Sequence, residues 1–230
     1  IKKETTAKKK THPLKTIKIL CRNKYFILIT LAFAVIYTSL GLTGGSRIYY
    51  AKYVLGDEML NSTMTMFNYI PTILTIMLIP VFTKRFGKIK ALFVGFLFYA
   101  AGLVLEIAGP VNLPMIYTGL VLQGIGHAAL YSCLFAIVGD VVDYSEWKDG
   151  IREEGITYSV TSFGQKIGTG LGTAALGWIL AAGHYDGTAA VQSASAIFAI
   201  KGLFLYLHPS ALLSPNKYPG PVASLLWHLL

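Results

Sequence analysis

Residues 25–45, YFILITLAFAVIYTSLGLTGG, contain no charged side chain. A helix rises about 1.5 Å per residue, so this stretch matches the roughly 30 Å hydrocarbon core of a bilayer. The whole 230-residue chain is also rich in apolar residues, since 54% of its residues are hydrophobic and only 13% are charged. A typical soluble domain has about 25% charged residues. We therefore predict an all-α integral membrane protein and exclude soluble, disordered and disulfide-rich proteins.

Five further apolar segments are long enough to predict membrane-spanning helices. They cover residues 61–83, 91–109, 115–139, 156–183 and 191–207. The first of these five contains Pro71 and Pro80, which predict kinks. The segment 156–183 contains Lys166, and the last segment is short and is interrupted by Lys201. The sequence thus predicts a bundle of six transmembrane helices over residues 25–207.

The basic residues are unevenly distributed along the chain. Of the 20 Lys and Arg residues, nine lie in residues 1–24 and four in residues 84–90. Alternate connections lie on opposite sides of a membrane, and one side receives sixteen basic residues while the other receives only Arg47 and Lys52. An excess of Lys and Arg marks the cytoplasmic side. We therefore predict cytoplasmic termini and interpret the net charge of +9 as membrane topology rather than nucleic-acid binding.

Both ends of the sequence have unusual features. Residues 1–24 are basic and polar, unlike a secretory signal peptide, and the chain begins with Ile1. Residues 208–230 contain four prolines within thirteen residues and then a short apolar stretch. We expect residues 1–24 to form a cytoplasmic loop of a longer protein. For residues 208–230 we expect a frameshifted terminus, and a natural amphipathic tail is the alternative.

Lys166 is the first candidate functional residue, because it lies well inside its apolar segment. A lysine at the centre of a membrane helix costs about 2.5–3.5 kcal/mol, so it usually faces a cavity or an ionic partner. The alternative is that its side chain extends to the membrane interface. Ser162 lies one turn earlier on the same face, and Thr161 is adjacent to it. Glycines in the same segment have a spacing that permits close helix packing: Gly164, Gly168 and Gly172.

The second candidate is the acidic segment 140–155, DVVDYSEWKDGIREEG, which contains six of the eleven acidic residues. Asp140 and Asp143 share one helical face at the end of the fourth apolar segment. Carboxylates are disfavoured at the C-terminal end of a helix, so they need cationic partners there. The available partners are Arg152, Lys148 and the basic residues 84–90. We interpret the segment as a cytoplasmic gate or ion-pair cluster, and a solvated loop is the alternative.

The same segment carries a family resemblance. Residues 140–155, followed by ITYSV at 156–160 and by Lys166, resemble the glycoside–pentoside–hexuronide:cation symporters, the melibiose-permease family of the major facilitator superfamily. Residues 49–57, YYAKYVLGD, are similar to the family's segment between helices seven and eight. The resemblance extends from about residue 20 to the end of the sixth segment. It implies the C-terminal half of a twelve-helix transporter, preceded by that protein's central cytoplasmic loop.

The resemblance also implies roles for individual residues. It implies that the substrate-binding residues are Lys166, Thr161, Ser162 and Tyr131. Lys166 would line the sugar cavity, and the ring of Tyr131 would stack on a pyranose face. Asp140 and Asp143 match the acidic pair at the end of helix ten, and Arg152 completes the expected ion pairs. His127 is interpreted as a packed helix residue, with a proton-carrying role as the alternative.

The implied function is half of a secondary active symporter for a glycoside, pentoside or hexuronide in a bacterial plasma membrane. Alternating access would move this six-helix bundle against its N-terminal partner around a central site. The coupling cation, sodium or a proton, would bind mainly to acidic residues of that missing half. No other cofactor and no bound metal are expected. The expected partners are the sugar, the cation, the lipid bilayer and the N-terminal half.

Two other functions are compatible with a membrane bundle. An intramembrane enzyme would need a catalytic pattern, but the five histidines are scattered and form no His-Glu-x-x-His motif. A membrane sugar sensor or binding subunit built on the transporter fold would bind a sugar without transporting it. The sequence does not discriminate this second alternative from a symporter.

Overall fold

The computed structural model describes residues 24–149, 152, 154–189 and 191–206. All regular secondary structure in these residues is helical. The helices are α1 (Lys24–Tyr53), α2 (Leu60–Phe86), α3 (Lys88–Ala108), α4 (Leu113–Asp149), α5 (Glu154–Ala182) and α6 (Ala194–Lys201), which continues as a π-helical turn (Gly202–Tyr206). Residues 1–23 of the predicted loop and the predicted aberrant tail, 208–230, lie outside the described residues.

Four of these helices, α1 to α4, are long and apolar enough to cross a membrane. α5 is also long, with 29 residues, but its many glycine, serine and threonine residues make it less apolar than those four. The apolar helical stretch that contains α6, Ala194–Leu205, is shorter than a usual span. The all-α membrane fold is thus confirmed, whereas the total of six spanning helices stays a prediction.

Several helices extend beyond the predicted apolar segments. α1 continues to Tyr53, so Arg47 and Lys52 belong to the helix and not to a connection. α4 has 37 residues, which corresponds to a length of about 55 Å. Because the hydrocarbon core is only about 30 Å thick, α4 is long enough to continue into water as a helix. The acidic segment 140–155, counted among the connections, is therefore helical as far as Asp149, and Asp140 and Asp143 share a helical face as predicted.

A single residue, Gly87, separates α2 from α3. Its φ of 87° lies in the left-handed region that glycine adopts without steric cost. The backbone N–H of Gly87 donates a hydrogen bond of 2.9 Å to the Thr83 carbonyl and closes the last turn of α2. The predicted basic connection 84–90 is therefore a one-residue joint flanked by helical residues.

α1 and α5 run parallel along a seam of small residues. Three glycines of α5 face the α1 backbone in order, Gly164 at Thr30, Gly168 at Ala34 and Gly172 at Thr38. A Cβ atom at Gly164 would lie 3.1 Å from the Thr30 carbonyl oxygen, and a Cβ at either of the other two would overlap α1 carbonyls. Small residues permit such backbone contact between membrane helices. The interpretation of these glycines as a packing surface is confirmed.

α4 lies between α2 and α3 and contacts both. It runs antiparallel to α3, with Gly119 and Gly126 of α4 facing Gly102 and Gly95 of α3. It runs parallel to α2, where Asn68 donates a hydrogen bond of 3.1 Å to the Leu120 carbonyl and Thr72 donates one of 3.0 Å to the Gly124 carbonyl. The helix directions therefore alternate, as consecutive membrane spans require.

The two ends of the bundle differ in chemistry. One end, here called the basic end, contains the start of α1, the α2–α3 joint, the end of α4 and the start of α5. At the opposite end, the Tyr50 hydroxyl donates a hydrogen bond to the Pro110 carbonyl, and the hydroxyls of Tyr53 and Tyr185 lie 3.0 Å apart. A large apolar cluster at this opposite end joins α1, α2, α4, α5 and α6. These contacts tie the short α6 to the longer helices.

Candidate functional sites

Lys166 and Ser162 are exposed on one face of α5. Among the described residues, the Lys166 ammonium makes no ion pair. Thr161 lies on another face, where it is buried and its hydroxyl bonds to the carbonyls of Thr157 at 3.2 Å and Tyr158 at 2.9 Å. The structure therefore places Lys166 and Ser162 together and Thr161 apart from them. Their roles in substrate binding stay predictions.

Tyr131 of α4 belongs to a row of rings that joins three helices. Its ring lies 5.7 Å from that of His127 in a stacked arrangement and 6.4 Å from that of Tyr37 in α1. The Tyr37 hydroxyl faces the side chain of Gln165 of α5, which is adjacent in sequence to the exposed lysine. His127 also packs against Tyr99 of α3, at 5.1 Å between ring centroids. The row places Tyr131 near α5, and its stacking on a sugar stays a prediction.

Arg152 and Asp143, two of the predicted gating residues, are in direct contact. The Arg152 Nη1 atom lies 2.9 Å from Asp143 Oδ1 and 2.5 Å from Glu146 Oε2, both on α4. Its Nη2 atom lies 2.6 Å from Oε1 of Glu154, the first residue of α5. One guanidinium group therefore links the end of α4 to the start of α5.

The same three carboxylates further favour the charged form of Arg152. Their hydrogen bonds, from Glu146 first and then from Glu154 and Asp143, raise the pKa of the guanidinium above its ordinary value. The Arg152 side chain is nevertheless 44% exposed, and exposed ion pairs contribute little to stability. Such contacts can form and break at small cost, which is the property that a gate requires.

Asp140 has a different partner. The ammonium of Lys88, at the start of α3, lies 2.6 Å from Asp140 Oδ2 and 2.8 Å from Oδ1. The same nitrogen is 3.4 Å from the carbonyl of Ala136, one turn earlier on α4. The two acidic residues of the predicted gate thus connect α4 to different helices, Asp140 to α3 and Asp143 toward α5. Their role in gating stays a prediction.

The chain matches a known protein family over most of its length. The model of the family described as "MFS/sugar transport protein" matches residues 1–213. The chain belongs to this family. Among its MFS/sugar transport relatives, the isoprimeverose transporter of Lactiplantibacillus pentosus is 31% identical over 207 residues. The glucuronide carrier protein homolog of Escherichia coli (strain K12) is 28% identical over 188 residues.

These alignments cover most of this chain but only part of each relative. They span 89% and 81% of the chain, against 43% of the isoprimeverose transporter and 41% of the glucuronide carrier homolog. The chain therefore spans less than half the length of these curated relatives. The predicted resemblance to a family of sugar symporters, over part of the full length, is confirmed.

Two buried charged residues of the chain are absent from the predicted sites. Arg47 of α1 is 9% exposed and Glu106 of α3 is 0% exposed. The first apolar run ends at residue 45, so counting apolar residues puts Arg47 in a connection. Glu106 is the only charged residue of the apolar segment 91–109 and follows Gly102 by four residues, and these two features of the sequence could have indicated a buried functional position.

Proposed function

We propose that the chain is the C-terminal half of a sugar:cation symporter that works by alternating access. Family membership and the relatives named as isoprimeverose transporter and glucuronide carrier support sugar transport. The alternating directions of α1 to α5 support a bundle that spans the membrane repeatedly. In this proposal the chain forms six transmembrane helices and has no enzymatic activity of its own.

The observation that carries the proposal is the polar face of α5. Lys166 is exposed together with Ser162, although both lie within a long helix whose opposite face is buried against α1. A lysine in a membrane helix needs water or polar partners. Sugar hydroxyls and acidic residues of the N-terminal half would supply them, and Tyr131 would add an aromatic surface for the sugar ring.

The proposed orientation has the basic end in the cytoplasm. Lys84, Arg85, Lys88 and Lys90 lie there, and this excess of positive charge matches the cytoplasmic side of membrane proteins. The ion pairs of Asp140 and Asp143 would then lie at the cytoplasmic entrance, in a bacterial plasma membrane. The coupling cation, sodium or a proton, would bind mainly on the N-terminal half.

The experiment that tests this function uses the two halves separately. Vesicles that contain only residues 1–230 are expected to show no sugar uptake, because the cavity has one wall. Co-expression with a matching N-terminal half is expected to restore uptake driven by a sodium or proton gradient. Sugar uptake by the isolated chain would contradict the proposal. Sugar binding without any flux in the complete protein would indicate a sensor instead.

Replacing Asp143 by asparagine is expected to slow transport while equilibrium sugar binding changes little. The substitution removes one of three carboxylates around Arg152 and so weakens the link between α4 and α5. The rate of sugar exchange and the sugar dissociation constant are the two measurements. Glu58→Gln is the matched control, since it breaks an exposed ion pair with Lys52 at the opposite end. A large loss of binding with normal exchange would contradict a gating role.

A further inference from the structure

Polar side chains from several helices meet in the interior of the bundle, and the cluster that they form borders on Tyr131 of the predicted sugar site. The charged members of this interior cluster are Arg47 of α1 and Glu106 of α3, and both are buried. The Arg47 guanidinium interacts electrostatically with Glu106, with Tyr69 of α2 and with Tyr131 of α4. Ionisable residues inside membrane helices are rare and usually functional.

The Glu106 side chain is enclosed between α3 and α4. It lies over Gly119 of α4, so that a Cβ atom at that glycine would be 2.9 Å from Cγ and 3.4 Å from Oε1 of Glu106. Gln123 of α4 lies over Gly102 of α3 in the same way. A Cβ atom at Gly102 would be 2.9 Å from Cγ of Gln123. Each polar side chain thus fills the space that a glycine leaves on the opposite helix. Glu106 is therefore held in the interior by the packing itself.

The carboxyl group of Glu106 has a polar neighbour but no ordinary hydrogen bond. Both of its oxygens, Nε2 of Gln123 and Nε of Arg47 are buried and lack one, although Gln123 faces the carboxyl. The Nη1 atom of Arg47 instead makes a long contact of 3.4 Å with the Thr65 hydroxyl. Among the described residues, Glu106 and Arg47 are neighbours without being in ion-pair contact.

An ionised carboxylate in this position would be strongly unfavourable. A buried charge is stable only when it is paired and hydrogen-bonded, and otherwise the group becomes neutral. A protonated carboxyl carries no net charge, and its hydroxyl can donate to the Oε1 atom of Gln123. We propose that Glu106 is a proton-binding site inside this bundle, with Arg47 as the positive charge that its ionised form would pair with.

The groups around Glu106 determine whether its carboxyl group is ionised or protonated. Arg47 favours the ionised form of Glu106, and enclosure by α3 and α4 favours the protonated form. His127 of α4 is packed between Tyr131 and Tyr99, and Tyr69 faces Arg47 from α2. Among the described residues, Arg47 is the neighbouring cation that can compensate the carboxylate. Movement of Arg47 toward Glu106 would therefore release the proton, and its retreat would take one up.

This site gives the bundle a dependence on protons that is separate from the proposed coupling cation. The proposed coupling cation binds mainly on the N-terminal half, whereas Glu106 would bind its proton within the bundle described here. The proton decides whether Arg47 has an ionic partner, and so it favours one arrangement of α1 against α3 and α4. This inference does not depend on the identity of the sugar or on sugar transport.

Infrared spectroscopy of the full-length protein that contains this chain, in lipid at neutral pH, tests the proposal. A protonated carboxylic acid has a carbonyl-stretch band that a carboxylate lacks, and deuterium oxide shifts it. The wild-type protein is expected to show this band, and Glu106→Gln is expected to lose it completely. Glutamine has nearly the same shape, so the packing over Gly119 is retained. Glu58→Gln, which alters an exposed carboxylate, is expected to keep the band.

Either of two results would overturn the proposal, namely no band in the wild-type protein or an unchanged band in Glu106→Gln. If Glu106→Gln fails to fold, Glu106→Asp provides the second measurement, because the shorter side chain moves the carboxyl away from Gln123 and the changed surroundings are expected to shift the band frequency. An unchanged frequency in a folded Glu106→Asp protein would also overturn it. Absence of sugar transport with the band intact would contradict only the proposed function.

Discussion

Replacing Gly172 by valine is expected to separate α5 from α1 and to abolish the accumulation of folded protein. A Cβ atom at this position would overlap the Thr38 carbonyl oxygen and would lie 2.9 Å from the backbone nitrogen of Leu42. These are backbone atoms of a helix and cannot move aside individually. Overpacking in a protein interior costs about 1–3 kcal/mol. The cost is expected at or above the upper end of that range here, since two helices must move apart.

Gly170 provides the matched control on the same helix. No atom of another helix lies within 4 Å of a Cβ placed there, so Gly170→Val is expected to leave the amount of folded protein nearly unchanged. The measurement is the monodisperse fraction of detergent-solubilised protein on size-exclusion chromatography, with its thermal midpoint. Equal behaviour of the two valine variants would show that the seam between α1 and α5 does not determine folding.

Truncating Lys166 to alanine is expected to weaken sugar binding by roughly ten- to a hundredfold. Hydrogen bonds to a charged donor contribute on the order of 1.5–3 kcal/mol, and about 1.4 kcal/mol corresponds to a factor of ten. Insertion and expression are expected to survive, because alanine is more apolar than lysine and Lys166 is exposed on α5. The measurement is equilibrium sugar binding by the complete transporter, followed by uptake in vesicles.

Lys201 is the appropriate control for this effect, since it also lies in a predicted apolar segment but belongs to α6. Lys201→Ala is expected to leave sugar affinity unchanged, and Lys166→Arg is expected to retain part of it. An unchanged affinity in Lys166→Ala would show that this lysine extends to the interface. That result would remove the main residue-level support for the proposed sugar site.

The sequence predicts the membrane class and the packing glycines of this protein well, but it predicts helix ends poorly. Charged residues limit the part of a helix that lies in hydrocarbon, and they do not interrupt backbone hydrogen bonds. α1 therefore continues past Arg47 to Tyr53, and α4 continues past Asp140 to Asp149. The fifth and sixth predicted segments differ from the structure in another respect. The helix α5 is less apolar than a usual membrane span, and α6 is shorter than one.

The sequence likewise predicts some features of the candidate sites and misses others. Position along a helix predicts that Lys166 and Ser162 share a face, because residues four apart are neighbours. Thr161 is adjacent in sequence but turns toward α1, where its hydroxyl bonds to its own helix. The proximity of Arg47 to Glu106 depends on how three helices cross, and no spacing within a single segment contains that information.

The joint at Gly87 has a consequence for how the protein enters the membrane during synthesis. With one residue between them, α2 and α3 form a helical hairpin, and so short a joint favours insertion of the two helices as a pair. The tip of the hairpin carries Lys84, Arg85, Lys88 and Lys90, and such charges resist translocation. In the proposed orientation the hairpin would enter the membrane as a unit, with its tip retained on the side of synthesis. Its orientation would then be fixed before α4 and α5 leave the ribosome, and later helices would assemble against it.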